Sequence, residues 1–260
     1  MSASTSEKDL FDYLVAEYQR PFTGWDFSYL AGRSVTIRPN PLWNYNDAVV
    51  AAMQQAHSVL DMETGGGERF ARYLASATHP LQSYATEGYT PNIVVARQTL
   101  EPLGVTVYEL HDGNHLPFAD EQLDLIINRH GAYTPREVLR ILKPGHQFIT
   151  QQIGDQTNLR LHTLLGHERA PMAHPWNVDY AANELQAAGW CILERQEETF
   201  CDRYYDIGAV VYYLKGIAWE IPDFSVEKYF PKLVELDRLM QREGYVDVPF
   251  QQFFIVAQKP

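Results

Sequence analysis

The sequence predicts an α/β fold built on a mostly parallel sheet, and three observations carry that prediction. Between residues 57 and 153, short β-branched or apolar runs alternate with helical patterns, the order expected of repeated βαβ units. Each expected strand ends in polar or glycine residues, on the edge where an open parallel sheet binds its ligands. With 260 residues, 45% apolar and 21% charged, the chain is long enough for one large core with an appended piece.

Residues 58–62 read as a strand that runs into Glu63 and a run of glycines, and residues 68–75 read as the helix that follows. Those glycines therefore sit in a strand-to-helix turn. Residues 81–86 form a second expected strand, ending at Glu87, Gly88 and Tyr89. Thr90 and Pro91 then read as N-cap and first-turn proline of a helix carrying Ile93, Ala96 and Leu100. Residues 105–110 lead to His111, Asp112 and Gly113, and residues 123–127 end at Asn128, Arg129 and His130. Thr134 to Glu137 has capping-box spacing ahead of the apolar face of Val138, Leu139 and Leu142, and Pro144-Gly145 stops that helix. Residues 146–152 make a fifth strand, residues 178–188 a helix, and residues 190–194 and 250–258 two further strands. The division expected is an N-terminal helical, aromatic cover over 1–50, a core over 51–200, a helical insert over 201–247 and a final core strand over 248–260.

Charge and motif content narrow the function. Twenty-one basic against thirty-three acidic residues leave a net charge of −12, which repels phosphate backbones, so no nucleic-acid partner is expected. Cys191 and Cys201 lack CxxC spacing and read as inert packing residues. No HExxH occurs, and His111 and His115 need not share a helical face, so no metal site is predicted; no GxSxG marks a serine hydrolase. The N-terminus shows no apolar leader and the longest apolar run, 207–214, is too short for a membrane span, so a soluble, cytoplasmic protein is expected. Its oligomeric state is not specified.

Glycines between strand and helix bring backbone close to a ligand, and a carboxylate ending the next strand, about twenty residues on, can accept ribose hydroxyls. Glu87 stands at that position after Gly67, so the pair reads as a nucleoside site. Phe70 occupies the place where a dinucleotide fingerprint needs a small residue, which disfavours NAD.

The run VLDMETGGG at 59–67 resembles the glycine-rich motif of class I S-adenosylmethionine-dependent methyltransferases, especially their type 11 group. LPFADEQLDLI at 116–126 and EVLRILKPGHQF at 137–148 resemble later landmarks of the same family. The resemblance implies a Rossmann-like three-layer α/β/α sandwich, with a mostly parallel seven-stranded sheet closed by a C-terminal antiparallel hairpin and a helical cover. It implies S-adenosyl-L-methionine as cofactor and S-adenosyl-L-homocysteine as product. By the same resemblance, Asp61, Gly65 and Gly67 would surround the methionine end, Glu87 with Gly88 the ribose, Asp112 with Gly113 the adenine, and Asn128 the sulfonium. Glu63 stands where the family usually has its first glycine, so the turn is expected to reach the cofactor without positive φ there. Glu63 is either a neutral substitution or a partner for the methionine ammonium. His146 departs from the family's second glycine after Pro144, away from the expected site.

The expected reaction is methyl transfer to a small-molecule O, N or C nucleophile, in which the protein mainly aligns the reactants and excludes water. The alternatives are an RNA methyltransferase, which the charge opposes, and a cofactor-binding partner or sensor without catalysis. His130 either caps a strand end or orients or deprotonates the acceptor, with Tyr133 as a neighbouring candidate. Two aromatic segments, 18–45 and 204–245, are expected to cover the carboxyl edge without adding a strand, and Trp25, Tyr29, Tyr205 and Tyr212 are the candidate acceptor-binding residues.

Overall fold

The computed structural model describes residues 6–22, 25–110 and 115–260. Helix α1, Glu7–Gln19, starts from a capping box in which Ser6 Oγ accepts the Asp9 N–H and the Asp9 carboxylate accepts the Ser6 N–H. Strand β1, Ser34–Ile37, is followed by α2, Tyr45–Met53, whose N-cap Asn44 accepts the Asn46 N–H at 3.0 Å. Next come β2, Ser58–Met62, α3, Glu68–Ala75, β3, Gln82–Glu87, α4, Thr90–Leu100, and β4, Thr106–Glu109. Strand β5, Leu123–Arg129, α5, Pro135–Ile141, and β6, Leu142–Ile153, continue the alternation. The chain then forms α6, Leu159–Leu165, α7, Val178–Ala187, β7, Cys191–Tyr204, α8, Ile207–Gly216, α9, Val226–Glu243, and β8, Val246–Gln258.

The eight strands lie in the order β1-β7-β8-β6-β5-β2-β3-β4. Parallel pairing joins β4, β3, β2, β5 and β6, while β8 runs antiparallel to β6. This is the predicted mixed α/β sheet with its reversed C-terminal pair and one strand more. Contrary to expectation, the N-terminal segment does add a strand, β1, which pairs antiparallel with β7 from Ser34 opposite Tyr204 to Ile37 opposite Cys201. Val35, Thr36 and Ile37 form a β-branched run after Ser34, and β7 presents an edge whose N–H and C=O groups need partners.

Two compact units make up the chain: Met1–Pro39, Gln156–His174 and Thr199–Phe250 form one; Asn40–Asp155, Pro175–Glu198 and Gln251–Pro260 form the other. In the second unit, alternation along the strands separates two cores. Val59, Ala85, Leu125, Ile127, Ile149 and Phe254 pack on one face, and Leu60, Met62, Ile126, Phe148, Phe253 and Ile255 on the other. In the first unit, Leu14, Leu161, Val210, Leu233 and Met240 share a helical core. Glu17, 3% exposed there, is held by Arg33 at 2.8 Å and by the Tyr29 hydroxyl at 2.9 Å, as a buried charge requires. No helix among the described residues is long and apolar enough to cross a membrane.

Two sequence landmarks prove to have structural work. Asp124 accepts the His57 and Ser58 N–H groups at 2.7 and 3.1 Å and pairs with Lys143 at 2.7 Å, tying the start of β2 to β5 and β6. Glu137 makes no capping box: Thr134 gives no side-chain cap, and the Glu137 carboxylate instead accepts the Leu116 N–H at 2.6 Å. Arg140 binds Glu137 at 2.6 Å and also donates to the Leu116 and Phe118 carbonyls, so this pair clamps the segment leading into β5. Likewise Thr90 is not the N-cap of α4; Tyr89 is, and Thr90 and Pro91 lie inside the first turn. Cys191, expected to pack, is exposed at the start of β7, and Cys201 is half-buried.

Candidate functional site

Because β2 pairs in parallel with both β3 and β5, the loops leaving these three strands emerge side by side: Asp61 lies opposite Ala85 and Ile127. The turn after β2 is fastened to β3, with the Glu63 N–H donating to Thr86 Oγ1 at 3.2 Å and the Thr64 N–H to the Thr86 carbonyl at 3.0 Å. At the end of β3, Glu87 is 2% exposed, and its two carboxylate oxygens accept the Gly65 and Tyr89 N–H groups, each at 2.7 Å. Burial raises the Glu87 carboxyl above its ordinary range, against the opposing pull of those N–H groups. The buried Asn92 side-chain amide lies close by and favours the charged form of Glu87.

Gly67 caps α3 at φ 84°, and a Cβ there would come within 2.6 Å of the Leu100 side chain, so only glycine lets α3 and α4 approach this closely. Glu63 is the surprise in this turn. Its φ is 55°, so the residue standing in the family's glycine position adopts the left-handed conformation after all, correcting the expectation that it would not. Its side chain fills the space above Gly131, where an added Cβ would lie 2.4 Å from Glu63 Cβ. Burial, then the Glu87 charge, pushes its carboxyl up to about 6.

Asp61, 8% exposed, accepts the Thr64 hydroxyl at 2.6 Å, and burial pushes its carboxyl up to about 7. On its other side stands Arg129, whose guanidinium has no ion pair or hydrogen bond to a described residue. Burial, then the charge of Arg69, lowers it to about 10. Arg69 donates to Asn46 Oδ1 at 2.9 Å, and the buried Tyr45 hydroxyl nearby has no hydrogen-bond partner among the described residues.

His130 also has positive φ, 64°. The state of its ring follows from a chain of donors. Trp43 Nε1 can only donate and binds Gln151 Oε1 at 2.9 Å, which turns the Gln151 nitrogen toward His130 Nε2 at 3.4 Å. The Gln252 nitrogen approaches the same atom at 3.3 Å, so Nε2 accepts and the proton resides on Nδ1. Burial, together with Arg129 and Arg69, holds the imidazole well below its ordinary value and therefore neutral. As arranged, His130 can orient a partner through Nδ1–H, while its accepting nitrogen is already engaged.

Of the sequence-predicted residues, Asp61, Glu63, Gly65, Gly67, Glu87 and Gly88 surround one turn, with Asn128 and His130 on the adjoining strand end. Asn128 is fully buried and its amide oxygen accepts Thr150 Oγ1 and Gln152 Nε2 at 3.1 and 2.6 Å, so it stiffens that strand end. Asp112 and Gly113 lie outside the described residues. Tyr133 packs against Phe148 and Trp176, ring centroids 5.0 and 6.4 Å away, and burial raises its phenol. Trp25, Tyr29 and Tyr212 belong to the first unit and join one aromatic cluster through Phe22, with Tyr29 and Tyr212 4.8 Å apart and Trp25 5.2 Å from Trp219. Tyr212 is packed inside that cluster, whereas Trp25 and Trp219 are exposed and Tyr205 is exposed at the end of β7. Sequence reading gave Arg129 and Gln151 no role and took Trp43 only as one aromatic of the N-terminal segment; the signal for Arg129 was its place between Asn128 and His130.

The residues fit S-adenosylmethionine by the charges that no described residue neutralises. A buried carboxylate, bonded only to backbone N–H groups, ends β3; a guanidinium without an anion among the described residues ends β5; and a carboxylate without a cation among them sits in the glycine turn. That set suits a nucleoside carrying a zwitterionic tail and a positive charge.

Sheet order, flanking helices and the reversed C-terminal pair make a Rossmann-like α/β fold, which solved structures described as methyltransferases share. A crystal structure from Bacillus halodurans C-125, provisionally assigned as a methyltransferase, superposes with a TM-score of 0.54 at 18% identity, covering 81% of this chain and 98% of that one. The structure of the [4+2]-cyclase SpnF gives 0.56 at 15% identity over 98% and 97% of the two chains. Among curated proteins, demethylmenaquinone methyltransferase of Protochlamydia amoebophila is 27% identical over 107 residues, a match spanning 37% of this chain and 44% of that protein. No family model matches the chain.

Proposed function

We propose that the protein is an S-adenosylmethionine-dependent methyltransferase acting on a small-molecule O, N or C nucleophile. The observation that carries the reading is the Glu87 carboxylate, buried at the end of β3 and bonded to the backbone of the glycine turn. When bound, the cofactor supplies an activated methyl group on a sulfonium. Glu87 holds the ribose hydroxyls, the turn 63–67 lies along the methionine end, and Arg129 with Arg69 receives the carboxylate of that end. Asp112 and Gly113 are proposed at the adenine. His130, neutral and donating from Nδ1, orients the acceptor, and Tyr133 remains a candidate beside it.

The net charge of −12 supports a small acceptor over a polyanion, and the curated relative is named for a small molecule, demethylmenaquinone. Within the first unit, Trp25 and Tyr205 are exposed aromatic faces suited to a partly apolar ligand, whereas Tyr29 and Tyr212 are committed to packing in the aromatic cluster. One neighbour of this fold is described as a [4+2]-cyclase, so the fold alone does not fix methyl transfer. The deciding experiment incubates the protein with radiolabelled cofactor and either fractionated metabolites or total RNA. Label entering a metabolite fraction is expected. Label entering RNA, or cofactor binding with no transfer to any fraction, would overturn the reading.

A further inference from the structure

The methyltransferase reading leaves one group in the turn without a task. Glu63 carries a carboxylate that forms no ion pair with a described residue; among the described residues the charge acting on it is another carboxylate, Glu87, and the Gly88 N–H is the contact that favours its charged form. The unpaired cation of this site, Arg129, acts on Asp61 and not on Glu63. Two half-buried to buried carboxylates thus lie close together in the turn with no cation from a described residue between them, a configuration that repels until a cation enters.

Placement strengthens the point. Glu63 lies between the loop after β3 and the loop after β5: Oε2 is 3.7 Å from where a Cβ on Gly88 would stand, and its Cβ and Cγ are 2.4 and 2.6 Å from one on Gly131. Bare glycines on both sides leave the room that the glutamate uses. The chain also holds this glutamate at φ 55°, a conformation that glycine would adopt without strain.

Resting on the methyltransferase reading, we propose that Glu63 is a specificity-determining residue of the cofactor site, favouring a cofactor with a positive sulfonium over the neutral thioether left once the methyl group has gone. The two ligands differ by that charge and one methyl group, so a carboxylate in the turn separates them electrostatically. The consequence for turnover is that the spent cofactor is held less tightly than the fresh one.

The test is calorimetric titration of the full chain with S-adenosylmethionine and with S-adenosylhomocysteine at pH 8, for wild type, Glu63→Gln and Glu63→Gly. Wild type is expected to bind the sulfonium form about tenfold more tightly, the ratio that one pKa unit of interaction supplies. Glu63→Gln, which keeps shape and removes charge, is expected to bring the two affinities within about twofold of each other; Glu63→Gly serves if the glutamine variant fails to fold. An unchanged ratio in variants with wild-type circular dichroism overturns the inference and leaves the methyltransferase reading standing. Loss of both ligands together in the variants overturns it as well. Failure of wild type to bind either ligand overturns the methyltransferase reading, and the inference with it.

Discussion

Replacing Glu63 by glycine should stabilise the free protein, and the gain should depend on pH. Two penalties disappear. Release from the left-handed conformation at φ 55° is worth about 1 kcal/mol. The carboxyl is held at about 6 instead of its ordinary 4.5 by burial and by Glu87, which corresponds to about 2 kcal/mol, reduced by solvent screening at this half-buried position to about 1 kcal/mol. Against these stand the lost Gly88 N–H bond and the extra freedom of glycine in the unfolded chain, about 1 kcal/mol together. The net gain is therefore about 1 kcal/mol at neutral pH, a rise of a few degrees in unfolding temperature. The sign of the pH dependence follows from the raised folded-state value. Glu63 is harmless below about 4.5, and its penalty grows as pH rises through about 6, because the folded state then surrenders a proton it had retained. Thermal unfolding of wild type and Glu63→Gly at pH 4.5 and pH 8 measures both parts. A variant destabilised at pH 8, or a gain equal at the two pH values, would refute the reasoning.

Other perturbations probe the neighbouring groups. Glu87→Ala should weaken S-adenosylmethionine binding by about 1.5–3 kcal/mol in calorimetry, since it removes a charged acceptor, and unchanged affinity would remove Glu87 from the ribose. Gly131→Ala should destabilise by about 1–3 kcal/mol because its Cβ meets Glu63 at 2.4 Å, and a denaturant-unfolding cycle should show Glu63→Gly recovering part of that loss. His130→Gln should leave the pH profile of turnover without a change near 6.5, because the imidazole is already neutral there; a lost inflection would restore His130 as a base. It should also reduce the acid sensitivity of folding, since a histidine held below its unfolded value draws stability from the native state as pH falls through 6.5. Arg129→Leu should lower affinity for the cofactor tenfold or more while leaving adenosine binding nearly unchanged, as competition titration would show.

The sequence by itself determined the alternation of elements from β2 to β6, because hydrophobic period and turn chemistry are local. Strand β2 was legible to the residue, and so was the pairing of a glycine turn with Glu87. It did not disclose β1, whose pairing with β7 joins residues far apart in the chain and depends on an edge that exists only once the sheet has formed. Thr134 and Glu137 had the spacing of a cap, yet Arg140 and the Leu116 N–H compete more strongly for the carboxylate, and that competition exists only in three dimensions. The tautomer of His130 was set by Trp43, Gln151 and Gln252, three residues from separate segments. Glu63 shows the division most clearly: the sequence marks a departure from glycine, but the backbone conformation there is imposed by Thr86, Glu87 and Gly131 around the turn. Local pattern fixes which elements form, and long-range contacts fix the charge state and conformation of the few residues that do chemistry, because those depend on burial and on neighbours that no sequence window contains.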